Sequence, residues 1–224
     1  MTSYQTQLSA LTRILSTTQK SQKTKEGLML LSAPQLHQLI DDGVIDALHE
    51  NVNSASIDVR IGDEVLLEVP FQRHCVGIGL YDDVHDEPID ISAKQSPAFQ
   101  KVTIPEEGIV IEPGQCFLAH TVETFNLPDT ISGQFIERST VARCFLEHMQ
   151  AGWADAGWHG AQLTLEFKNM NQFHRLLIKP GMRIGQMVFF QHETVGEDSY
   201  AVKGNYNKQR GATQAYAGEG HTDK

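Results

Sequence analysis

Positive charge is in short supply: 18 lysines and arginines stand against 28 aspartates and glutamates, a formal net charge of -10 at pH 7. A general nucleic-acid binder is thereby excluded, because such proteins carry a basic field that attracts the phosphate backbone. A small phosphorylated ligand is still allowed, since residues 138–143 and 203–210 gather cations locally. Cysteine is scarce as well. Cys75, Cys116 and Cys144 are odd in number and far apart, and no apolar leader opens the sequence, so a reducing cytoplasm is the expected compartment. No apolar run approaches the roughly 18 residues that a membrane span needs.

Zinc signatures are missing too. His85-Asp86-Glu87 matches the H-x-E half of the zinc deaminase motif, but the P-C-x-x-C half is absent and the ten histidines contain no H-x-x-x-H pair.

What is present is enough apolar residue, 40% of 224, to bury a core. Three segments are expected: an arm and linker over 1–27, a compact domain over 28–202, and an extended Gly-, Asn- and Gln-rich arm over 203–224. In the first, Leu8, Leu11, Ile14 and Leu15 fall at helical spacing before a polar run. The domain opens with a helix capped by Ser32, with Pro34 in its first turn, an apolar face of Leu36, Leu39 and Ile40, and Gly43 as its stop. From Ser54 the period becomes two: Ile57, Val59 and Ile61 face one way, Asp58 and Arg60 the other, which predicts a half-buried strand with a solvated polar face. Further strands are predicted over 116–121, 130–136, 161–168, 175–179 and 182–191, separated by turns such as Pro113-Gly114 and Pro180-Gly181. Short strands at this spacing indicate a mainly antiparallel β domain, a sandwich or distorted barrel with few helices.

Residues 134–169 concentrate the candidate chemistry. Arg138-Ser139-Thr140 follows a strand and runs into Val141-Ala142-Arg143, the start of a helix. Two hydroxyls, two guanidinium groups and free backbone N–H groups there suit either an anion or an ordinary cap. Glu166 lies on the polar face of the strand 161–168, with Gln162, Thr164 and Lys168. It is either a solvated strand residue or a pocket-lining general acid/base with a raised pKa. Asp155, between Gly152-Trp153 and Gly157-Trp158, either braces a turn or orients a hydroxyl or water, and both tryptophans are expected to pack.

Taken in order, SASIDVRIG, RSTVAR, AGWADAGWHG, LTLEFKN, KPGMRIGQM and YNKQRGATQAY resemble the dCTP deaminase family, which is related to the trimeric dUTPases; the likeness spans most of the chain from residue 28 to 216. The resemblance implies a dUTPase-like distorted antiparallel β barrel or jelly roll, a homotrimer with active sites between subunits, and zinc-independent hydrolysis of dCTP to dUTP and ammonia. It implies Glu166 as the proton carrier, with Ser139 and Arg143 placing the water and Glu166. It puts the triphosphate on Arg138, Ser139 and Thr140 of one subunit, closed over by Lys208, Gln209 and Arg210 in the tail of another. Ala151 and Trp153 would belong to the base-binding segment, Asp155 would hold the deoxyribose 3′-hydroxyl, and magnesium would ride on the triphosphate. The alternatives are a bifunctional enzyme releasing dUMP and pyrophosphate, which AGWADAG favours, and a deoxynucleotide-binding regulator without turnover. Three positions depart from the family pattern: Glu137 where glycine is usual, Gln150 where threonine is usual, and Asn205 where lysine is usual.

Overall fold

The structure is a computed structural model that describes residues 29–69, 74–75, 81–82 and 88–215. The arm over 1–27, the His85-Asp86-Glu87 loop and the last residues of the tail lie outside the described residues.

Strand β1 (Met29–Leu30) leads into α1 (Ala33–Asp41), where the Ser32 N–H and Oγ both donate to Gln35 Oε1, at 3.0 and 2.9 Å. Gly43 ends the helix at φ 70°, left-handed backbone that glycine adopts without a Cβ penalty. Then follow β2 (Ile45–Asp46), β3 (Ile57–Arg60), β4 (Glu64–Glu68), β5 (His74–Cys75), β6 (Tyr81–Asp82), β7 (Phe99–Thr103), β8 (Ile109–Ile111), β9 (Cys116–His120) and β10 (Thr124–Asn126). The remainder comprises β11 (Ile131–Glu137), the single turn α2 (Ser139–Ala142), β12 (Leu146–His148), β13 (Trp153–Ala154), β14 (His159–Ala161), β15 (Thr164–Asn169), β16 (Leu176–Ile178), β17 (Arg183–Gln191) and α3 (Tyr200–Lys203).

The fold is mainly β, and every strand pair among the described residues is antiparallel. One sheet orders as β1-β17-β11-β13 with β3 also on β17, and another as β12-β15-β9-β4-β7. Their inner faces supply the core, in which Phe117 stacks on Phe167 at 5.5 Å and Phe125 on Trp158 at 5.6 Å. Each such side chain contributes about 1.5–3 kcal/mol by leaving water. No described helix is long and apolar enough to cross a membrane.

Two strand expectations need correction. Asp58 is only 3% exposed: Asn53 and Gln186 donate to its Oδ1 at 2.9 and 3.1 Å, and Arg138 and Arg183 lie within 4 Å of Oδ2. The polar face of β3 is thus covered by side chains from other elements; Arg60 likewise finds the fully buried Glu123 at 2.8 Å. The strand expected over 161–168 is also broken. Gln162 gives its N–H to the Gln209 carbonyl and Leu163 gives its own to Thr121 Oγ1, so neither continues the ladder.

Candidate active site

Period-two alternation along β15 sends Leu165 and Phe167 into the core and Thr164, Glu166 and Lys168 to the other face. That face is not open water. Glu166, whose side chain is 29% exposed, forms part of the wall of a cavity of about 610 Å³, whose lining also includes Ala151, Trp153, Asp155, Thr164 and Gln209. Burial pushes its carboxyl up to about 6, because a charged carboxylate loses hydration there. Glu166 can therefore be ionised at neutral pH yet accept and return a proton at little cost.

Asp155 reaches the cavity from the turn after β13. Trp153 Nε1 donates to its Oδ1 at 2.8 Å, and the Asp155 carbonyl accepts from the Trp158 N–H at 3.1 Å, so this residue braces the turn as well as facing the cavity. Trp158 packs inside at 4% exposure, whereas Trp153 stays half-exposed against Phe190. Gly152 must be glycine, since a Cβ there would lie 2.5 Å from Phe135 Cβ.

The tail closes the same cavity on its own chain. Trp158 Nε1 donates to the Tyr206 carbonyl at 3.0 Å, Gln209 Nε2 to the Gln162 carbonyl at 2.7 Å, and Thr213 Oγ1 to Gln209 Oε1 at 3.1 Å. Lys208 and Arg210 take other paths: the Lys208 N–H donates to the His159 carbonyl at 2.9 Å, and Arg210 Nη1 donates to Thr124 Oγ1 at 2.7 Å.

The sequence candidates thus divide. Ala151, Trp153, Asp155, Glu166 and Gln209 share one cavity; Arg138, Ser139, Thr140, Arg143, Lys208 and Arg210 do not line it. Ser139, Thr140 and Arg143 are exposed on and beside α2, and Arg138 leans on Asp58. The helix expected after Arg138 is one turn, so its dipole adds little to an anion site.

Sequence reasoning missed His148, which is 1% exposed with Nε2 3.5 Å from Glu166 Oε2. The available signal was its parity with Leu146, a polar residue at an inward strand position. Burial holds its ring down to about 4, hence neutral. Glu137 also turns inward, because it shares the face of β11 that buries Phe135. Burial first, and then the Glu147 charge, push its carboxyl up to about 7, while the His148 backbone N–H opposes the rise. Among the described residues no cluster of three or more histidines, cysteines, aspartates and glutamates could hold a metal ion.

Comparison with known proteins adds an independent line. Residues 30–192 match the model of the dCTP deaminase-like family. A "dCTP deaminase, dUMP-forming" of Sulfurihydrogenibium sp. is 34% identical over 192 residues, 83% of this chain and 95% of the relative. One of the same name from Nanoarchaeum equitans is 32% identical over 84% of this chain and 96% of its own, and a "dCTP deaminase" of Photorhabdus laumondii is 30% identical over 74% and 84%. The crystal structure of 2′-deoxycytidine 5′-triphosphate deaminase from Agrobacterium tumefaciens aligns with a TM-score of 0.55 at 18% identity, over 73% of this chain and 48% of that one; this is a likeness of fold.

Proposed function

The chain belongs to the dCTP deaminase-like family, and from that premise we propose that its cavity hydrolyses the 4-amino group of dCTP, giving dUTP and ammonia. The observation that carries this reading is the half-buried Glu166, raised to about 6, on the wall that also holds Asp155 and the main chain at Ala151.

In this reading water adds to C4 of cytosine as Glu166 takes its proton. That proton goes to the ring nitrogen N3; the carboxyl then passes the remaining hydroxyl proton to the departing amino group, the C4–N4 bond breaks, and ammonia leaves with a carbonyl in its place. A carboxyl near 6 suits both directions of transfer. Asp155 holds the 3′-hydroxyl with the carboxylate oxygen that the Trp153 indole leaves free, and the polar main chain beside Ala151 reads the base edge. Gln209, Tyr206 and Thr213 close the tail, the arm from residue 203 onward, over the nucleotide.

Arg138, Ser139, Thr140 and Arg143 lie outside this lining. They would complete the site of a neighbouring copy in a homotrimer, holding its triphosphate and placing the water, with Lys208 and Arg210 near the phosphates. Magnesium would be held by the triphosphate oxygens and would offset their charge. Glu137 does not oppose phosphate in this arrangement, because its side chain turns into the protein.

A second reading carries the reaction on to dUMP and pyrophosphate. It is favoured by two of the relatives above, both named dUMP-forming, and by Asp155, which would also orient a water against the α-phosphate. Incubation with dCTP and magnesium, followed by chromatographic separation, tests both. Accumulating dUTP with ammonia supports the first, dUMP with pyrophosphate the second, and unchanged dCTP would refute both.

A further inference from the structure

His148 sits at the end of β12 with its ring between Phe135 and Phe167, at centroid distances of 4.5 and 5.3 Å. Its two nitrogens meet different groups. Nδ1 accepts the Gln150 backbone N–H at 3.2 Å, and Nε2 faces Glu166 Oε2 at 3.5 Å. Nε2 and Oε2 are both sealed from solvent, and neither makes a hydrogen bond among the described residues, not even with the other across 3.5 Å. Gln150 itself is held at φ 62°, and its side-chain Nε2 donates to the His148 carbonyl at 3.2 Å, so the donor that addresses Nδ1 is fixed.

These contacts assign the proton. A neutral imidazole carries one N–H, and a nitrogen that accepts from a backbone amide cannot be the one that bears it. The hydrogen is therefore on Nε2, which lies 3.5 Å from Oε2. Because Oε2 is sealed while the Glu166 side chain as a whole is 29% exposed, the other oxygen, Oε1, is the one that meets the cavity.

We infer that His148 is a positioning residue for Glu166: a neutral, Nε2-protonated imidazole that donates to Oε2 once the two atoms close from 3.5 Å, and so points Oε1 at the substrate water. The inference rests on the proposed role of Glu166. Burial keeps the ring neutral across the working range, so the anchor does not switch with pH near neutrality. Other ionisable groups surround the pair: Glu68, Cys116 and Asp155 line the same cavity, and Glu137 and Glu147 lie behind the His148 backbone. None of them comes between Nε2 and Oε2.

Two measurements test this separately from the deamination reading. In the free, substrate-free protein, nitrogen NMR of the His148 ring should show the neutral Nε2–H tautomer from pH 6 to 8; an Nδ1–H ring or an imidazolium in that range would overturn the assignment, whatever Glu166 does. Three variants then divide the ring's functions. H148Q carries an amide donor near the Nε2 position, H148N an acceptor near Nδ1, and H148F neither. H148F is expected to lower kcat by roughly 10- to 100-fold, the range of a hydrogen bond to a charged group, with little change in KM and with the acid limb of the pH profile moved upward. H148Q should recover most of that loss and return the limb, whereas H148N should not. Recovery by H148N in place of H148Q would mean that the ring merely braces the Gln150 turn and would refute the positioning role. Failure of E166Q to affect turnover would remove the role of Glu166 but leave the tautomer result standing.

Discussion

Replacing Glu166 by glutamine should stabilise the protein at pH 8 and leave its stability at pH 4 almost unchanged. The folded environment raises the Glu166 carboxyl from 4.5 to about 6, chiefly by burial. A group raised on folding favours the folded state below its unfolded value, where both states are protonated and nothing is lost. As pH climbs, the unfolded chain releases the proton first, and the disadvantage of the buried carboxylate grows until pH passes the folded value. The interval between 4.5 and about 6 corresponds to about 2 kcal/mol at saturation. Glutamine is neutral and nearly isosteric, so it avoids that loss, and the His148 Nε2–H can donate to its carbonyl oxygen. The neighbouring Glu137, raised to about 7, titrates in both proteins and cancels in the difference. Denaturant unfolding of parent and variant at pH 4 and pH 8, at matched protein concentration, measures the effect. A gain of equal size at both pH values, or none at pH 8, would refute the claim that this carboxylate is held in an unfavourable buried setting for its chemistry.

Two further outcomes follow from the same geometry. The kcat/KM for deamination should fall about tenfold per unit below pH 6, since Glu166 must be ionised to take a proton from water; Glu137→Gln should keep that limb, and a limb that disappears with Glu137 would reassign the titrating group. If each site is completed by a second copy, two inactive proteins, Glu166→Gln and Arg143→Ala, should regain activity when their subunits are mixed by dissociation and reassembly, because some sites then receive an intact half from each; no recovery despite verified mixed assemblies would place the whole site on one chain.

Much of this was legible in the chain. The cap at Ser32, the stop at Gly43 and the alternation along Ala161, Leu163, Leu165 and Phe167 are local rules, and the structure follows them. Periodicity also put Glu166 on the polar face of its strand, but could not say whether that face met water or a cavity, which depends on the tail folding back from residue 205 onward. The same limit explains Asp58: alternation read it as solvated, while Arg138, Arg183 and Gln186, remote in sequence, cover it together with the nearby Asn53. His148 escaped notice because its function lies in a pairing with Glu166 across β12 and β15, set by the strand register of His148 on Phe167. Glu137 looked unsuited to a phosphate site in the sequence; strand parity sets it on the face of β11 that buries Phe135, which alternation alone could not orient toward the protein.

The central claim is that Glu166 moves the protons of deamination without being needed to hold the nucleotide. Its most direct test measures dCTP affinity by calorimetry and ammonia release by a coupled assay for the parent protein and Glu166→Gln. The account predicts an affinity within a few-fold of the parent and ammonia release reduced by at least a factor on the order of 10². Near-normal ammonia release from the variant would contradict it.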